Sequence, residues 1–447
     1  MHTKTFSIIS LGCPKNLVDS ELLVAELTNL GMQFQTELQG SSLVVLNTCG
    51  FLRPARDEAR DYIRALIELK QAKEIGKIAV CGCMPQFDRI SEKNRNAIQE
   101  FPDVDFWYGV PANGDWSFLR SWVECDTTAG FSGGTTRQLL TERHVAYLRI
   151  ADGCDRVCSF CAIPFIRGRF QSTPLETLLE EARRLAESGV KELIVVAQET
   201  TFWGADLYGE PRLPLLLREL EKIDGFRWIR LMYTYPLFFG DDLIELFAAF
   251  QSGGKIIPYL DIPLQHINDG ILKRMNRKVT RREIETLLEK LRCRIPNLVL
   301  RTSLIVGFPG ETEAMFDELV KFVEQWKFER AGVFRFSAEE RTAASKLSGA
   351  VPPKIIEKRY KKLYDVCERY STNWAERQKG TVVDVQIDKQ YVDESGRKEP
   401  NLFIGRTYAD APEIDPIVYI TGEQLVSGSL IPCEIVEKNG CDLVAVV

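Results

Sequence analysis

Histidine is scarce in this sequence, and its scarcity narrows the chemistry that the chain can perform. The 447 residues include only three histidines, His2, His144 and His266. Catalytic triads use histidine as the base, and most catalytic zinc sites use it as a ligand. Both kinds of site are therefore poorly supported, and a metal site in this chain is expected to use other side chains.

Long apolar runs are also missing. No uninterrupted apolar run of about 18 residues occurs, so we expect no membrane-spanning helix. The apolar stretch near the beginning, in MHTKTFSIISLGCPKN, is too short for the core of a signal peptide. Twelve cysteines without a secretory signal favour a reducing, cytoplasmic location and metal ligation over a disulfide framework.

The sequence has no excess of positive charge, and its net charge is −6. Residues 376–447 hold 7 Lys and Arg against 13 Asp and Glu, whereas the preceding 375 residues hold 50 of each. A nucleic-acid interface needs a basic face. The acidic tail therefore favours a basic protein partner, or else it is a charged surface that keeps the protein soluble.

The first ~125 residues alternate between strand-like and helix-like patterns. The length of 447 residues is enough for two to four domains. Apolar runs FSIISLG, SLVVLNT and KIAVCG are followed by helical patterns around Asp19–Leu30, over Pro54–Lys73 and from near Asp88. This alternation predicts an open parallel α/β sheet in a domain over residues 1–128. The glycine- and threonine-rich stretch Ala129–Gln138 is predicted to be a linker.

A second alternating series begins at Val145 and predicts a central domain over residues 140–375. It contains six apolar runs: VAYLRIA, ELIVVAQ, WIRLMYTYP, YLDIPLQH, LVLRTSLIVG and RAGVFRFS. Amphipathic helices intervene, and Thr312 is a candidate cap for one of them. Six βα units are fewer than the eight of a TIM barrel, so we expect a partial (βα)6 barrel.

The sequence pattern changes near the end of the chain. Pro352–Lys379 is highly charged and helical in pattern. After Gly380 short β-rich runs alternate with turn residues, which predicts a small antiparallel β-barrel of about five strands within residues 376–447. The fold class is therefore α/β multidomain with three domains.

The most informative motif is GCDRVCSFC, in which Cys154, Cys158 and Cys161 are spaced C-x3-C-x2-C. Iron–sulfur clusters normally take four cysteines. A set of three predicts a cluster in which one iron stays open to a substrate or cofactor. The alternative is a structural zinc site completed by a distant ligand, although no paired C-x2-C or C-x2-H occurs downstream.

A second set of three cysteines follows the apolar runs of the first domain. Cys13, Cys49 and Cys83 lie 36 and 34 residues apart, about one βα repeat each. The carboxyl ends of parallel strands share one edge, so these thiols are expected to converge on one site. The alternative is three buried apolar thiols. The remaining cysteines show no ligand pattern and are assigned to packing: Cys81, Cys125, Cys293, Cys367, Cys433 and Cys441.

With these motifs the chain resembles the methylthiotransferases, radical S-adenosylmethionine (SAM) enzymes with two clusters, over essentially its full length. The resemblance rests on Ser10–Glu21, Asn47–Phe51, Cys81–Gln86, Ala146–Gly168, Pro263–His266, Thr302–Glu313 and Gly405–Ile420. The sequences PKN, PLQH and ADAPEID favour the branch that modifies a ribosomal protein over the branch that modifies tRNA. One departure is Thr173, in a Ser-Thr-Pro where the family usually has Ser-Arg-Pro.

The resemblance implies two 4Fe–4S clusters, one on each cysteine set, and SAM as cofactor. It implies that SAM is cleaved to a 5′-deoxyadenosyl radical, which takes a hydrogen from the β-carbon of an aspartate on ribosomal protein S-twelve (uS12). A methylthio group then replaces that hydrogen. The implied partners are uS12 and a low-potential electron donor, without a membrane and without tRNA, and the implied tail is a TRAM-like barrel.

Other residues have less specific roles. The resemblance places Phe160 against the adenine of SAM, with loop packing as the alternative. Gln198 and Glu199 end a strand where polar groups face a barrel mouth, so SAM binding is expected there. Gly307 lets the backbone approach a ligand, or serves only the turn. Gln265 and His266 are candidate substrate contacts, and a lone histidine there is more often part of the scaffold.

Three rival hypotheses differ in substrate or in class. A tRNA methylthiotransferase would perform the same reaction on RNA, and its binding would weaken steeply with salt. An iron–sulfur electron carrier would need two fully ligated clusters, but the sequence has two sets of three cysteines. A structural zinc protein would contain zinc and no iron.

Overall fold

The computed structural model describes residues 4–90, 97–111, 122–123 and 137–447. These residues form two compact units. The first unit comprises the described residues of Met1–Leu140 together with Ala151–Gln171 and Ser337–Lys346. The second comprises Thr141–Ile150, Ser172–Phe336 and Leu347–Val447. The predicted linker lies outside the described residues except for Arg137 and Gln138, and so does Cys125.

A five-stranded sheet of parallel strands is the centre of the first unit, in the order β2-β1-β3-β4-β5. Its strands are β1 Thr5–Ser10, β2 Gln33–Phe34, β3 Leu43–Thr48, β4 Lys77–Gly82 and β5 Phe106–Trp107. Every residue of the central strand β3 is buried. Helices cover both faces of a parallel sheet of this kind, and the apolar run Leu43–Leu46 suits a strand that is buried on both sides. Val45 and Val44 point into separate hydrophobic clusters, one on each face.

The helices of this sheet are α1 Pro14–Asn29, α2 Arg53–Gln71, α3 Cys83–Ile90 and α4 Ala97–Glu100. Both α1 and α2 have proline in the first turn, where its missing N–H costs nothing. The sequence predicts a helix that begins near Asp88, but the helix begins five residues earlier. Helix α3 begins at Cys83 because Gly82, at φ +96°, turns the chain directly out of β4.

The loop 151–171 contains β7 Ala151–Asp152, α5 Ile163–Arg167 and the start of β8 Gln171–Ser172. Helix α5 packs against α3 in a small cluster of four buried side chains: Cys83, Phe87, Ala162 and Ile166.

The segment 337–346 also belongs to the first unit. Its Glu339 forms a buried ion pair with Arg56 at 2.8 Å, and its Ala344 N–H donates to the Ser159 carbonyl at 2.7 Å. Three stretches far apart in sequence thus build one body.

The second unit contains the predicted partial barrel, which is confirmed as six parallel strands in the order β13-β12-β11-β10-β9-β6. The strands are β6 Val145–Arg149, β9 Glu192–Val196, β10 Trp228–Leu231, β11 Ile256–Asp261, β12 Val299–Val306 and β13 Arg330–Arg335. Because β13 and β6 do not pair with each other, the sheet stays open.

Helices connect these strands as the amphipathic patterns predict. They are α6 Leu175–Glu187, α7 Ala205–Tyr208, α8 Leu213–Glu221, α9 Asp241–Ala248, α10 Asp269–Arg274, α11 Arg281–Arg294, α12 Glu313–Trp326 and α13 Pro353–Gln378. Short 3-10 turns cover Thr200–Phe202, Ala249–Ser252 and, in the first unit, Ala343–Lys346. Thr312 caps α12 by accepting a hydrogen bond from the Met315 N–H, as predicted.

The chain ends in a closed five-stranded barrel of order β14-β15-β16-β18-β17. Its strands are β14 Val382–Val392, β15 Lys398–Arg406, β16 Val418–Thr421, β17 Leu430–Asn439 and β18 Asp442–Val446. All pairs are antiparallel except β16 and β18. That pair is parallel because β17 lies between them in sequence and reverses the chain direction. None of the described helices is long and apolar enough to cross a membrane.

A buried network of charged side chains joins the two sheets of the second unit. Glu192, at the start of β9, accepts from Arg230 at 2.7 Å and from Arg406 at 2.6 Å. Arg406 also pairs with Asp388 at 2.8 Å, and Asp388 binds His144 at 2.8 Å. The carboxylates and guanidiniums alternate, so each buried charge has a partner of opposite sign.

The ADAPEID sequence extends this network. Asp410 binds Arg330 at 2.6 Å, and both side chains are buried. Asp415 accepts from the Tyr259 hydroxyl at 2.6 Å and lies 3.4 Å from Arg301. These acidic residues therefore anchor the C-terminal barrel to the six-stranded sheet and are not available to a partner.

Candidate active site

Cys13, Cys49 and Cys83 lie at the carboxyl ends of β1, β3 and β4, which are neighbours in the sheet. Cys13 is the N-cap of α1 and Cys83 is the first residue of α3. The three thiols are close enough for the charge of one to raise the pKa of another. The structure thus brings together the cysteines that the sequence separates by more than thirty residues, and their role as cluster ligands stays a prediction.

The Asn16 side chain lies between two of these sulfurs. Its Oδ1 is 3.4 Å from Cys83 Sγ and 3.9 Å from Cys13 Sγ. Its Nδ2 donates to the Thr48 carbonyl at 2.9 Å and to the Leu11 carbonyl at 3.2 Å. The amide is therefore held by the backbone of β3 and of the β1–α1 turn, and it orders the space around the thiols.

Two glycines let the three strand ends approach closely. A Cβ on Gly12, which has φ +103°, would lie 2.9 Å from Cys49 Cβ. A Cβ on Gly50 would lie 2.3 Å from the Cys83 carbonyl oxygen, which is inside van der Waals contact. Any larger residue at these positions must move a cysteine.

We therefore expect Gly50→Ala to displace Cys83 and impair the cysteine set. If each set holds a 4Fe–4S cluster, as the resemblance implies, the reconstituted variant should lose about half of its iron, roughly four of eight atoms, because only the C-x3-C-x2-C loop is left intact. Iron and sulfide assays of the purified chain measure this loss. The control is Gly240→Ala, whose new Cβ meets only the flexible end of Asp242. Full iron content in Gly50→Ala would contradict the crowding argument.

Arg167, at the end of α5, reaches the same place. Its Nη2 lies 2.6 Å from Asn16 Oδ1 and 2.8 Å from Asp19 Oδ2, and its Nη1 lies 3.1 Å from Asp152 Oδ2. Burial alone would lower the pKa of Arg167, but Cys83, Asp19 and Asp152 raise that pKa well above its ordinary value. The guanidinium therefore stays charged beside the thiols.

Burial dominates the protonation of the thiols themselves. It raises the pKa of Cys49 and raises the pKa of Cys83 to about 12, although Arg167 acts in the opposite direction. Both groups are thus neutral thiols near pH 7 in the free protein, and a metal centre must displace their protons when it binds. Cys81 points away into the hydrophobic cluster with Val45, as its packing assignment predicts.

Cys154, Cys158 and Cys161 belong to a tight loop of the first unit. The Cys154 N–H donates to the Gly168 carbonyl at 3.1 Å, and the Cys161 N–H donates to the Cys158 carbonyl at 3.1 Å. Gly153, at φ +72°, precedes the first cysteine, and a Cβ there would lie 2.1 Å from the Arg169 carbonyl oxygen. Cys154 is buried, whereas Cys158 and Cys161 are half-buried. Glycine at 153 is therefore required for the loop to close.

Both cysteine sets offer sulfur donors of the kind that iron–sulfur clusters use. The cysteines that the structure describes form no disulfides. Over residues 4–90, 97–111, 122–123 and 137–447, no three His, Cys, Asp or Glu side chains are close enough to hold a single metal ion. A cubane cluster is larger than one ion, and three thiolates would bind three different irons of it and leave the fourth open. The two sets, each of three thiols, therefore fit a cluster in their donor chemistry.

The residues predicted to bind SAM are divided between the units. Phe160 is half-buried in the loop of the first unit, and Gln198, Glu199 and Gly307 lie in the second. Glu199 is buried, and its carboxylate accepts from the Thr201 hydroxyl at 3.5 Å. Their roles toward SAM stay predictions.

Packing explains the glycine at position 307. Its φ is +79°, and a Cβ there would lie 2.4 Å from Ile356 Cγ1 of α13. Its N–H donates to Glu311 Oε2 at 2.7 Å. Glycine is thus required by the close approach of α13, whether or not a ligand also contacts this turn.

His266 occupies a scaffold position. It is fully buried, its Nε2 lies 3.2 Å from Glu311 Oε1, and its Nδ1 accepts from the Asn268 N–H at 3.0 Å. Both ring nitrogens are therefore occupied within the protein. The preceding Gln265 has φ +73°, a left-handed conformation that non-glycine residues adopt at a cost of about 1–3 kcal/mol.

Sequence reasoning missed the polar residues around the first cysteine set: Asn16, Asp19, Asp152 and Arg167. Asn16 and Asp19 follow Cys13 on α1 at helical spacing, where buried polar side chains are unusual. That unusual polarity was the available signal. Nothing in the sequence indicated that Arg167, 151 residues after Asn16, would join them.

Family models match three parts of the chain. A model described as the Radical SAM superfamily matches residues 148–323, one described as Uncharacterized protein family UPF0004 matches residues 5–109, and one described as the TRAM domain matches residues 376–447. These stretches contain the C-x3-C-x2-C loop, the separated cysteine set and the C-terminal barrel, respectively.

Solved structures share the fold at low sequence identity. The radical S-adenosylmethionine methyltransferase TsrM from Kitasatospora setae superposes with a TM-score of 0.51 at 16% identity, over 74% of this chain and 73% of that one. The cobalamin-dependent radical enzyme OxsB superposes with a TM-score of 0.51 at 11% identity, over 82% of this chain and 56% of that one. These likenesses concern the fold alone.

Curated relatives match over nearly the whole chain. Proteins named ribosomal protein uS12 methylthiotransferase RimO are 40% identical in Lachnoclostridium phytofermentans, over 98% of both chains, and 39% identical in Geobacter sulfurreducens, over 98% of this chain and 97% of that one. The corresponding protein of Christiangramia forsetii is 40% identical over 99% of this chain and 95% of that one. The chain therefore belongs to the RimO family of methylthiotransferases, within the radical SAM superfamily.

Proposed function

We propose that this protein attaches a methylthio group to the β-carbon of an aspartate in ribosomal protein uS12, using SAM and two 4Fe–4S clusters. The observation that carries the proposal is the convergence of Cys13, Cys49 and Cys83 at three adjacent strand ends. A radical SAM enzyme with one cluster needs only the C-x3-C-x2-C loop. The second set of thiols fits a second cluster, and full-length relatives named for uS12 indicate the substrate.

The chain's own residues have distinct tasks in this reaction. Cys154, Cys158 and Cys161 would hold one cluster with an iron left for SAM, and Cys13, Cys49 and Cys83 would hold the other. When bound, these groups supply the radical that removes a hydrogen and the sulfur that replaces it. The protein orders the thiols through Asn16 and the backbone, as the distances above require.

Exclusion of water is a second task. Cys83 is 6% exposed and Cys154 is 8% exposed, so each set has one thiol that solvent barely reaches. A reactive radical is protected by such burial, because side reactions with water and wrong hydrogens are prevented.

SAM binding is assigned to Phe160, Gln198, Glu199 and the turn at Gly307. Gln198 and Glu199 follow β9 at the carboxyl edge of six parallel strands, the edge at which barrels of this type bind ligands. Phe160 offers an aromatic face within the cysteine loop itself. Thr173 stands where the family usually has arginine, so we do not expect a contact between an arginine at that position and an anion.

The C-terminal barrel would meet the substrate protein. Three of its carboxylates are used internally, by Arg406, Arg330 and Tyr259, but others remain exposed: Asp384, Glu394, Glu413, Glu423, Glu434 and Glu437. This exposed acidity complements a basic protein and repels tRNA phosphates. The RimO relatives likewise do not favour the tRNA alternative. A low-potential electron donor and a cytoplasmic location complete the proposal.

The test is an anaerobic assay of the reconstituted full chain with reductant and SAM. We expect 5′-deoxyadenosine to form, and uS12 peptides to gain the mass of one methylthio group less the one hydrogen that it replaces at an aspartate. tRNA in place of uS12 should give no modified nucleoside. If tRNA is modified and uS12 is not, the protein belongs to the tRNA-modifying branch instead. If no deoxyadenosine forms with either substrate, the radical mechanism is wrong.

A further inference from the structure

Arg167 links the two cysteine sets, although it belongs to neither. It is the last residue of α5, six residues after Cys161 in the loop that carries C-x3-C-x2-C. Its guanidinium nevertheless lies at the other set, where its Nη2 is 2.6 Å from Asn16 Oδ1, which is itself 3.4 Å from Cys83 Sγ. Its side chain is only 2% exposed. A loop that serves one cysteine set thus contributes a buried positive charge to the other.

Three oxygen atoms surround the guanidinium, two as hydrogen-bond acceptors and one as an ion-pair partner. Asn16 Oδ1 and Asp19 Oδ2 lie 2.6 and 2.8 Å from Nη2, and both belong to α1. Asp152 Oδ2 lies 3.1 Å from Nη1 and belongs to the loop of Arg167 itself. The planar fork of arginine reaches all of these groups at once, which the single ammonium of lysine cannot do.

Apolar packing reinforces this link. Ile166, the residue before Arg167, is buried with Ala162 against Cys83 and Phe87 of α3. The backbone that carries Arg167 is therefore fixed to the helix that begins with a cysteine of the other set. Charge and packing act at the same junction.

We propose that Arg167 is a positioning residue that holds Asn16 beside the Cys83 sulfur and, by its charge, makes the cluster at Cys13, Cys49 and Cys83 easier to reduce. This inference rests on the proposed function, since it requires the second cluster. Hydrogen bonds to the sulfurs and the net charge nearby are among the factors that set the reduction potential of an iron–sulfur cluster. An electron held by a buried cluster is stabilised by an adjacent cation, and solvent screens that attraction little.

The test uses full chains in which Cys154, Cys158 and Cys161 are replaced by alanine, so that only the second cluster can assemble. The midpoint potential is measured by redox titration followed by electron paramagnetic resonance. Arg167→Gln should shift the midpoint to a more negative value, because the charge beside the cysteine set is lost together with its hydrogen bond to Asn16. Arg167→Lys should shift it less, because the charge is kept and the fork is lost.

Arg169→Gln is the matched control. Arg169 lies two residues away, its side chain is 88% exposed, and it pairs with Asp155 rather than with the cysteine set. Its replacement should leave the midpoint unchanged.

The parent in these comparisons is the chain with the three alanine replacements and with Arg167 intact. If the parent, Arg167→Gln and Arg167→Lys all bind iron and have the same midpoint potential, the proposed role of Arg167 is wrong, but the second cluster is not. If Arg167→Gln does not fold, the comparison rests on Arg167→Lys: a more negative midpoint than the parent supports the proposal, and an equal one contradicts it. A parent chain that takes up no iron would refute the second cluster, and with it the proposed function.

Discussion

The Cys158→Ala enzyme is expected to form no 5′-deoxyadenosine, whereas the Cys49→Ala enzyme is expected to form it and yet to modify no uS12. The two cysteines lie in separate sets, one in the C-x3-C-x2-C loop and one at the end of β3. Loss of either set should leave about four of about eight irons. The same loss of iron thus has two different consequences.

The reason for this expectation is that the proposed function assigns different steps to the two sets. In this proposal SAM binds the open iron of the cluster at Cys154, Cys158 and Cys161, so cleavage of SAM requires that set. Insertion of sulfur requires the second set. An enzyme without Cys49 should therefore still generate radicals, and deoxyadenosine should accumulate without methylthiolated product.

Cys81→Ala is the control for this pair of variants. Cys81 lies two residues before Cys83 but packs in the hydrophobic cluster of the sheet, 3% exposed. Its replacement removes one buried sulfur atom and should leave iron content and both products near the parent values. Deoxyadenosine and peptide mass are measured in the same reactions. Loss of deoxyadenosine in Cys49→Ala would show that the sets do not work separately.

The second large effect concerns stability. Arg406→Met should lower the thermal unfolding midpoint by roughly 10 °C, since breaking a buried ion pair costs about 3–5 kcal/mol. Arg406 binds both Glu192 and Asp388, and all three side chains are 12% exposed or less. Its loss leaves each carboxylate with one remaining partner, Arg230 or His144. Circular dichroism melts measure the change.

The pH dependence of this difference tests its cause. Burial alone would raise the pKa of Asp388, but Arg406 and His144 lower it below its ordinary value; the pKa of Glu192 is lowered in the same way by Arg406 and Arg230. Such carboxylates stabilise the fold above the pKa of the unfolded chain and lose that effect as the pH falls. The difference in thermal unfolding midpoint between the parent and Arg406→Met should therefore become smaller below about pH 4.

An exposed ion pair serves as the control for the buried network. Lys362 and Asp317 are 3.0 Å apart with side chains 48% and 47% exposed. Lys362→Met should change stability by no more than about 1 kcal/mol, because water screens an exposed pair. Equal midpoints for Arg406→Met and Lys362→Met would mean that the buried network contributes no more than an exposed pair.

Much of the fold followed from sequence periodicity. Apolar runs such as VVLNT and ELIVV were buried strands, and Thr312 was a helix cap, because each pattern depends only on neighbours along the chain. The convergence of Cys13, Cys49 and Cys83 on one edge was also foreseeable, since it depends only on the direction of parallel strands.

Features that depend on tertiary contacts were not foreseeable. The start of α3 at Cys83 depends on the conformation of Gly82, which the sequence pattern does not reveal. Arg167 and Asp19 are separated by 148 positions, and nothing local to either indicates the other. The ADAPEID acids were used to recognise a branch of the family, yet Asp410 and Asp415 serve as internal anchors.

The first compact unit is discontinuous in sequence, and this has a consequence for synthesis. Its last element, Ser337–Lys346, supplies Glu339 to Arg56, 283 positions earlier. Chains grow from the amino terminus, and domains generally fold as they emerge. The amino-terminal sheet can form early, but the buried pair and the contact at Ser159 must wait until residue 346 has been made. The first unit of the nascent chain therefore lacks its last segment while the whole six-stranded sheet is being translated.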